Sequence, residues 1–357
     1  MIPVRQAWPA PSAPRPIVII GAGAIVRTAH LPAYTRLRFP IHGLFDVCAD
    51  AARQTARQFG GLRVLRSIGE ADGGGEHRGA GAPGIVFDVA VPGREIAGVL
   101  AQLPAGSAVL IQKPMGEDLA SARRILDVCR ERRLVAAMNF QLRFSPNMMA
   151  AADLISAQRL GELTDIEVRV VDRQPWEQWA FLKGAPRLEV LYHSIHYLDA
   201  VRWIAGEPRG VLCRAIAHPQ LPDFRDTRST IVLDYDRIRC SLVLNHAHRH
   251  DMSRRASMLK IEGTNGSALL TLGVNLDYPS GPPDTLDVAT GDTWQSVPLR
   301  GSWFTEAFEG PMSNLQRFVA GEDAALVSPV DDGIKTMALV EACYESSAAP
   351  SWPIPNA

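Results

Sequence analysis

The feature that most constrains this chain is a junction near its start. Residues 17–20, Ile-Val-Ile-Ile, run straight into Gly21-Ala22-Gly23. A short β-branched run that stops at glycine predicts a buried strand ending in a tight turn. A helical pattern follows to about Leu37, then a second strand-like run at 41–47 and a second helical run from Ala49 to Phe59. That order is β-α-β. Short connections leave such a unit little choice but a parallel sheet with helices on its faces.

The same rhythm continues. Strand-like segments at 85–91, 107–111 and 134–138 alternate with helical ones at 93–103 and 118–133. Between the repeats, residues 69–84 are so rich in glycine that they read as a flexible surface loop. The alternation ends near Pro146. Beyond it, segments 163–171, 211–218, 229–235, 238–248, 257–263, 267–273 and 285–289 are strand-like, with turn signals such as Asp236 and Thr264-Asn265-Gly266 between them. Two helices, about 304–320 and 331–347, close the chain. The expected fold is therefore α/β plus α+β: an N-terminal doubly wound parallel sheet of Rossmann type, then a domain with a large open, mainly antiparallel sheet. The expected boundaries are a flexible extension at 1–16 with five prolines, a nucleotide-binding domain at 17–139, and a substrate or oligomerisation domain at 140–357 whose last helix could pack back on the first domain.

Composition narrows the function classes. The formal net charge is −1, which argues against a nucleic-acid or anionic-membrane partner. No apolar run approaches the length of a membrane span, and the start of the chain lacks a signal-peptide core, so a cytoplasmic protein is expected. The five cysteines are scattered and never spaced as C-x-x-C, which argues against a disulfide framework or a thiolate metal site. Only four of the 37 basic residues are lysines: Lys113, Lys183, Lys260 and Lys335. Unlike arginine, a lysine can give up its proton, so one at a strand end draws notice.

Gly21 would permit the tight turn, and Gly23 would let the backbone approach a pyrophosphate at the helix N-terminus. Val26 stands where a third glycine normally allows close helix–strand packing. Asp46, 25 residues after Gly21, can accept the ribose hydroxyls and repel a 2′-phosphate, which favours NAD over NADP. Its alternative is an ordinary strand-end cap. Lys113 follows the strand at 107–111, at the edge where doubly wound sheets bind ligands, and could relay a proton during hydride transfer. Further on, Glu189, Tyr192 or His193, His196 and Asp199 recur at helical spacing and so share one face. They read either as an acid–base set in a wet cleft or as hydrogen-bonded core groups. His246, His248 and His250 would share one strand face. No carboxylate or thiolate stands at ligand spacing from them, so no metal is expected.

Taken in order, GAGAIVRTAHLPAY (21–34), IQKPMGEDLASA (111–122), NFQLRFSP (139–146), HSIHYLDAVRWIAGEP (193–208), KIEGTNGSALL (260–270) and DDGIKTMALVEACYES (331–346) resemble the Gfo/Idh/MocA oxidoreductases. The resemblance implies hydride transfer between a nicotinamide and a secondary hydroxyl of a sugar, polyol or cyclitol. It also implies a homodimer or homotetramer assembled through the C-terminal sheet. The family lysine maps onto Lys113, with Gln112 in place of the usual glutamate. The family histidine maps onto His196, followed by Asp199. Tyr192 replaces the motif's aspartate, leaving Tyr192, His193 or Glu189 as possible relay groups. By the same resemblance Gly21, Gly23, Ala24, Ile25, Val26, Asp46, Val91, Pro92, Gln112, Lys113 and Asn139 would face the cofactor. Arg143, Trp176, Trp179, His193, His196 and Asp199 would face the substrate, the tryptophans as stacking planes for a sugar ring. An NAD-assisted hydrolase or lyase with transient oxidation, and a non-catalytic NAD-binding regulator, are the alternatives.

Overall fold

The computed structural model of the chain describes residues 4–72, 84–279 and 281–355. Most of the glycine-rich 69–84 segment lies outside them; residues Ile68–Asp72 form a short 3-10 turn. The chain divides into two compact units, one of residues 1–150 and 300–337, the other of 151–299 and 338–357.

The first unit is built on five parallel strands: β1 (Ile17–Ile20), β2 (Ile41–Phe45), β3 (Val86–Val89), β4 (Ala108–Gln112) and β5 (Val135–Asn139), in the order β2-β1-β3-β4-β5. β1, β3 and β4 are buried along their whole length, as continuous apolar strands covered on both faces should be. The helices are α1 (Leu31–Arg36), α2 (Ala49–Gln58), α3 (Ile96–Leu100) and α4 (Leu119–Glu131). α4 starts at a capping box: the Asp118 carboxylate accepts the Ser121 N–H at 2.7 Å, and Ser121 Oγ accepts the Asp118 N–H at 3.0 Å. Such a cap contributes about 1 kcal/mol. Helix α5 (Pro146–Ser156) follows β5 and was not foreseen in the sequence.

Helix α7 (Glu309–Val319) belongs to this first unit, where it packs on β4 and β5. Phe308, Met312 and Leu315 join Ile17, Ile19, Leu44 and Leu110 in one core. An amphipathic pattern says that a helix covers a sheet but not which sheet, so the sequence boundary at residue 140 left α7 on the wrong side. The Pro-rich start differs from expectation too. Within residues 4–16, Trp8 Nε1 donates to Asp323 at 2.8 Å, Ser12 donates to Glu322, and the Arg15 N–H donates to Gln316 at 2.7 Å. The Trp8 ring meets Phe144 edge-on. One aromatic anchor and a row of carboxylates tie down a segment whose prolines made it look loose.

The second unit carries β6 (Leu163–Val171), β7 (Gly210–Ile216), β8 (Arg228–Asp234), β9 (Arg239–Asn245), β10 (Ala256–Gly263), β11 (Gly266–Thr271), β12 (Thr285–Ala289) and β13 (Trp294–Ser296). They form one sheet in the order β13-β12-β11-β10-β6-β9-β8-β7. Every pairing is antiparallel except β6 with β9, which run parallel at its centre. Helix α6 (Ile195–Ala205) packs on β6 and ends at Gly206, whose φ of 82° favours glycine. The last helix, α8 (Val330–Ala348), begins in the first unit and ends in the second, where Ser346 Oγ accepts the Cys213 N–H of β7. Among the described residues no helix is long and apolar enough to cross a membrane.

Candidate active site

The candidate residues fall into two groups, one in each unit. In the first, Gly21 ends β1 with φ at +112°, and a Cβ there would lie 2.2 Å from the Ala90 carbonyl oxygen. Only glycine fits. A Cβ at Gly23 would meet nothing within 4 Å among the described residues, so the backbone there is open to approach. Ala24 and Ile25 follow half-buried, and Val26 is fully buried in the core. Residues Val26–His30 wind as a π-helical turn before α1 begins. The wider turn coincides with valine at the position where glycine would let helix and strand close up.

Asp46 follows β2 and folds back on this crest. Its Oδ2 accepts the Ala22 N–H and its Oδ1 the Cys48 N–H, each at 2.7 Å. Both oxygens retain lone pairs for further donors. Val91 and Pro92, just after β3, are half-buried beside the same crest, since Ala90 is the residue Gly21 abuts. The order β2-β1-β3 makes this the point at which the sheet's strand order reverses, where ligands bind α/β sheets.

Lys113 continues from β4, and its bond to Pro114 is cis. Burial lowers its ammonium to about 7. Gln112 Oε1 accepts the Lys113 backbone N–H at 2.8 Å. Gln112 in turn belongs to a buried network absent from the sequence reading. The amide nitrogens of Gln112 and Asn139 lie 3.1 and 3.3 Å from His30 Nε2. His30 Nδ1 is 2.7 Å from Asp88, which also accepts the Tyr34 hydroxyl at 2.8 Å. Donation by both amides makes Nε2 the acceptor and Nδ1 the donor. Asp88, the polar residue of the run Val-Phe-Asp-Val, was the signal that could have exposed this network. Asn139 and Gln112 thus brace His30 and the Lys113 backbone. Arg143 is likewise committed: it is 2% exposed, donating to the Val327 carbonyl at 2.7 Å and to Asp332 at 2.6 Å.

The second group surrounds the start of α6. His196 lies in its first turn, 6% exposed. The His193 ring centre is 6.4 Å from that of His196 and only 3.9 Å from that of His246. His246 Nδ1 is 2.6 Å from Asp172 Oδ1, and its Nε2 is 3.3 Å from Glu189 Oε1. Ser194 Oγ donates to the same Glu189 oxygen at 2.5 Å. Gln174 Nε2 donates to Asp172 Oδ2 at 2.7 Å and lies 3.2 Å from His193 Nε2. Burial opposes a charge on His246, but the Asp172 and Glu189 carboxylates outweigh it and raise the imidazolium to about 9. Behind Glu189, burial and the Glu189 charge raise Asp226 to about 6.

One expectation needs correction here. His246, His248 and His250 do not share a strand face: β9 ends at Asn245, His246 is buried and His250 is exposed. Parallel pairing of β6 with β9 instead sets Asp172 beside His246, the Asp172 N–H donating to the Asn245 carbonyl at 2.9 Å. Trp176 is only 3% exposed and turns its ring against His193 and His246, with interplanar angles of 81° and 86°. Trp179 stays half-buried, beside Tyr278. Tyr192 packs on the apolar cluster of Trp176, Leu182, Leu188 and Phe224. Asp199 is buried 3.9 Å from Arg202 within α6.

A glycine crest and a strand-end carboxylate lie on the parallel sheet of one unit, and a histidine cluster lies on the open sheet of the other. Residues 148–269 match the model of the GFO/IDH/MocA C-terminal domain. Inositol 2-dehydrogenase of Rhizobium meliloti is 25% identical over 263 residues, covering 68% of this chain and 72% of that one. D-apiose dehydrogenase of Paraburkholderia graminis is 26% identical over 258 residues, covering 68% and 65%. Among solved structures, an oxidoreductase from Agrobacterium radiobacter in complex with NAD+, L-tartaric acid and magnesium has a TM-score of 0.76 at 19% identity, covering 94% of this chain and 97% of that one. UDP-N-acetylglucosamine 3-dehydrogenase from Acidithiobacillus ferrooxidans has a TM-score of 0.73 at 17% identity, covering 94% and 98%. Residues 148–269 are therefore similar to the C-terminal domain of the Gfo/Idh/MocA oxidoreductases.

Proposed function

We propose that this protein is an NAD-dependent dehydrogenase acting on a secondary hydroxyl, or the corresponding ketone, of a sugar, polyol or cyclitol. The observation that carries the reading is Lys113: an ammonium brought down to about 7 by burial, at the carboxyl end of β4 in a sheet with a glycine crest. A group with that pKa can take and return a proton at neutral pH. The relatives point the same way, since inositol 2-dehydrogenase and D-apiose dehydrogenase are among them.

The residues fit the nucleotide. Gly21 and Gly23 leave room for a pyrophosphate, and Asp46 presents a carboxylate where a ribose would lie. A negative charge there disfavours a 2′-phosphate, hence NAD rather than NADP. When bound, the nicotinamide supplies the hydride acceptor. Lys113 takes and returns the hydroxyl proton, Gln112 fixes the Lys113 backbone, and His196 is the proposed acid–base group of the second unit. His193, Tyr192 and Glu189 stand in the region of the motif's missing aspartate. Trp179, the less buried tryptophan, is the better candidate for a sugar-facing plane. A second copy of the chain is the proposed partner of the exposed sheet face on β7–β9, and the cytoplasm the proposed compartment.

The test is reduction of NAD and of NADP, followed at 340 nm, against a panel of inositols, pentoses and glycosides. NAD should be the better acceptor. Lys113→Ala should lower kcat by about 10²–10⁴-fold, the range for loss of a general acid–base group. Undiminished turnover in that variant would remove Lys113 from the mechanism.

A further inference from the structure

Asp172, His193 and His246 come from three separate elements: the end of β6, the turn before α6 and the end of β9. Each offers one ligand atom, and these atoms all lie within 4.8 Å of one another. Asp172 is 1% exposed and His246 fully buried, while His193 is half-buried. Trp176 closes one side against both imidazoles.

We propose that Asp172, His193 and His246 bind a divalent first-row transition ion, with Glu189 as the outer carboxylate that orients His246. The placement of the three ligand atoms, with a carboxylate beside the far nitrogen of His246, carries the first part. His246 Nδ1 lies 2.6 Å from Asp172 Oδ1, and its Nε2 lies 3.3 Å from Glu189 Oε1. At that distance a proton bridges the two atoms, and an ion at about 2.1 Å from each would part them to roughly 3 Å. A carboxylate that accepts from the far nitrogen of an imidazole is the usual outer shell of a metal-bound histidine.

Charge carries the second part. Among the described residues, His246 is the only cationic partner of Asp172 or Glu189. One imidazolium balances one of the two buried carboxylates. Glu189 Oε2 is buried and accepts no hydrogen bond among the described residues. A divalent ion with neutral imidazoles balances both charges. Geometry carries the third. A proton held between His246 and Asp172 has no use for His193, whose ring is nevertheless packed 3.9 Å from that of His246. Two imidazoles and one carboxylate suit zinc, iron(II), cobalt or manganese better than magnesium. The ion would supply a Lewis acid next to the His193–His196 pair.

The experiment is titration of zinc chloride into the full-length, chelator-treated protein, followed by calorimetry, with manganese and magnesium chloride alongside. One zinc per chain should bind saturably and raise Tm, with magnesium much weaker. Glu189→Gln should weaken zinc about 10–100-fold, the usual cost of losing an outer-shell partner. His193→Ala should weaken it at least as much. Cobalt(II) chloride should give a visible absorption band in the wild type that His193→Ala loses. Absence of saturable zinc binding by the wild type would overturn the proposal and leave a proton as the occupant. Because this readout needs neither nucleotide nor substrate, its failure is separable from failure of the dehydrogenase reading.

Discussion

At the scale of residues, the most informative side chain is Lys113. Burial disfavours its charged form and brings the ammonium from the ordinary lysine range to about 7. Above that pH the amine is neutral and can accept a proton; below it the ammonium can give one. Alcohol oxidation should therefore rise with pH through about 7 and level off, while ketone reduction should fall over the same interval. Paired pH profiles of kcat/KM in the two directions check this. Lys113→Ala should abolish the limb near 7 in both. Lys113 could be proposed from the sequence because its signal is local: a rare lysine directly after an apolar strand. His30 and Asp88 could not, because they are 58 residues apart and meet only when the sheet has formed. A buried aspartate in an apolar strand tells of a partner without saying which.

Among the elements, β6 and β9 matter most. Read singly, both look like members of an antiparallel sheet, and their neighbours are. Pairing them parallel brings both C-terminal ends to one edge and puts Asp172, Gln174 and His246 together across 74 residues of sequence. The histidine triplet at 246–250 drew attention in the sequence for alternation along a strand that in fact ends before it. β7, β8 and β9 present a second legible pattern. Cys213, Ile231 and Leu242 point to the buried face, while Leu212, Ile216, Val232 and Val243 stay exposed on the other. Leu212 is 71% exposed opposite Val232. Arg214, Thr230 and Ser241 lie among them, so the face is a mixed one with Leu212 and Val232 as its apolar centre, and exposed apolar side chains grouped in this way suit an interaction surface. If a second copy covers it, Leu212→Glu combined with Val232→Glu should convert an oligomer to a monomer in sedimentation velocity while leaving Tm nearly unchanged. An unaltered sedimentation coefficient would place the interface elsewhere.

Across the whole molecule, the division into a parallel-sheet unit and an open-sheet unit was readable from the change in hydrophobic rhythm near Pro146. What the rhythm could not assign was α7, which returns to the first unit after the second has been built. Order along the chain says nothing about a helix that revisits an earlier sheet. The two units divide the proposed chemistry: nucleotide crest and Lys113 in one, His196 and the Asp172–His246–Glu189 cluster in the other. The most direct test follows the hydrogen itself. A substrate found at 340 nm is prepared with deuterium on the carbon that is oxidised, and the nucleotide product is examined by mass spectrometry. Net hydride transfer predicts one deuterium in each NADH formed, in stoichiometric yield with the ketone. Substrate consumption with no labelled NADH released would contradict the account and favour transient oxidation with the cofactor regenerated in place.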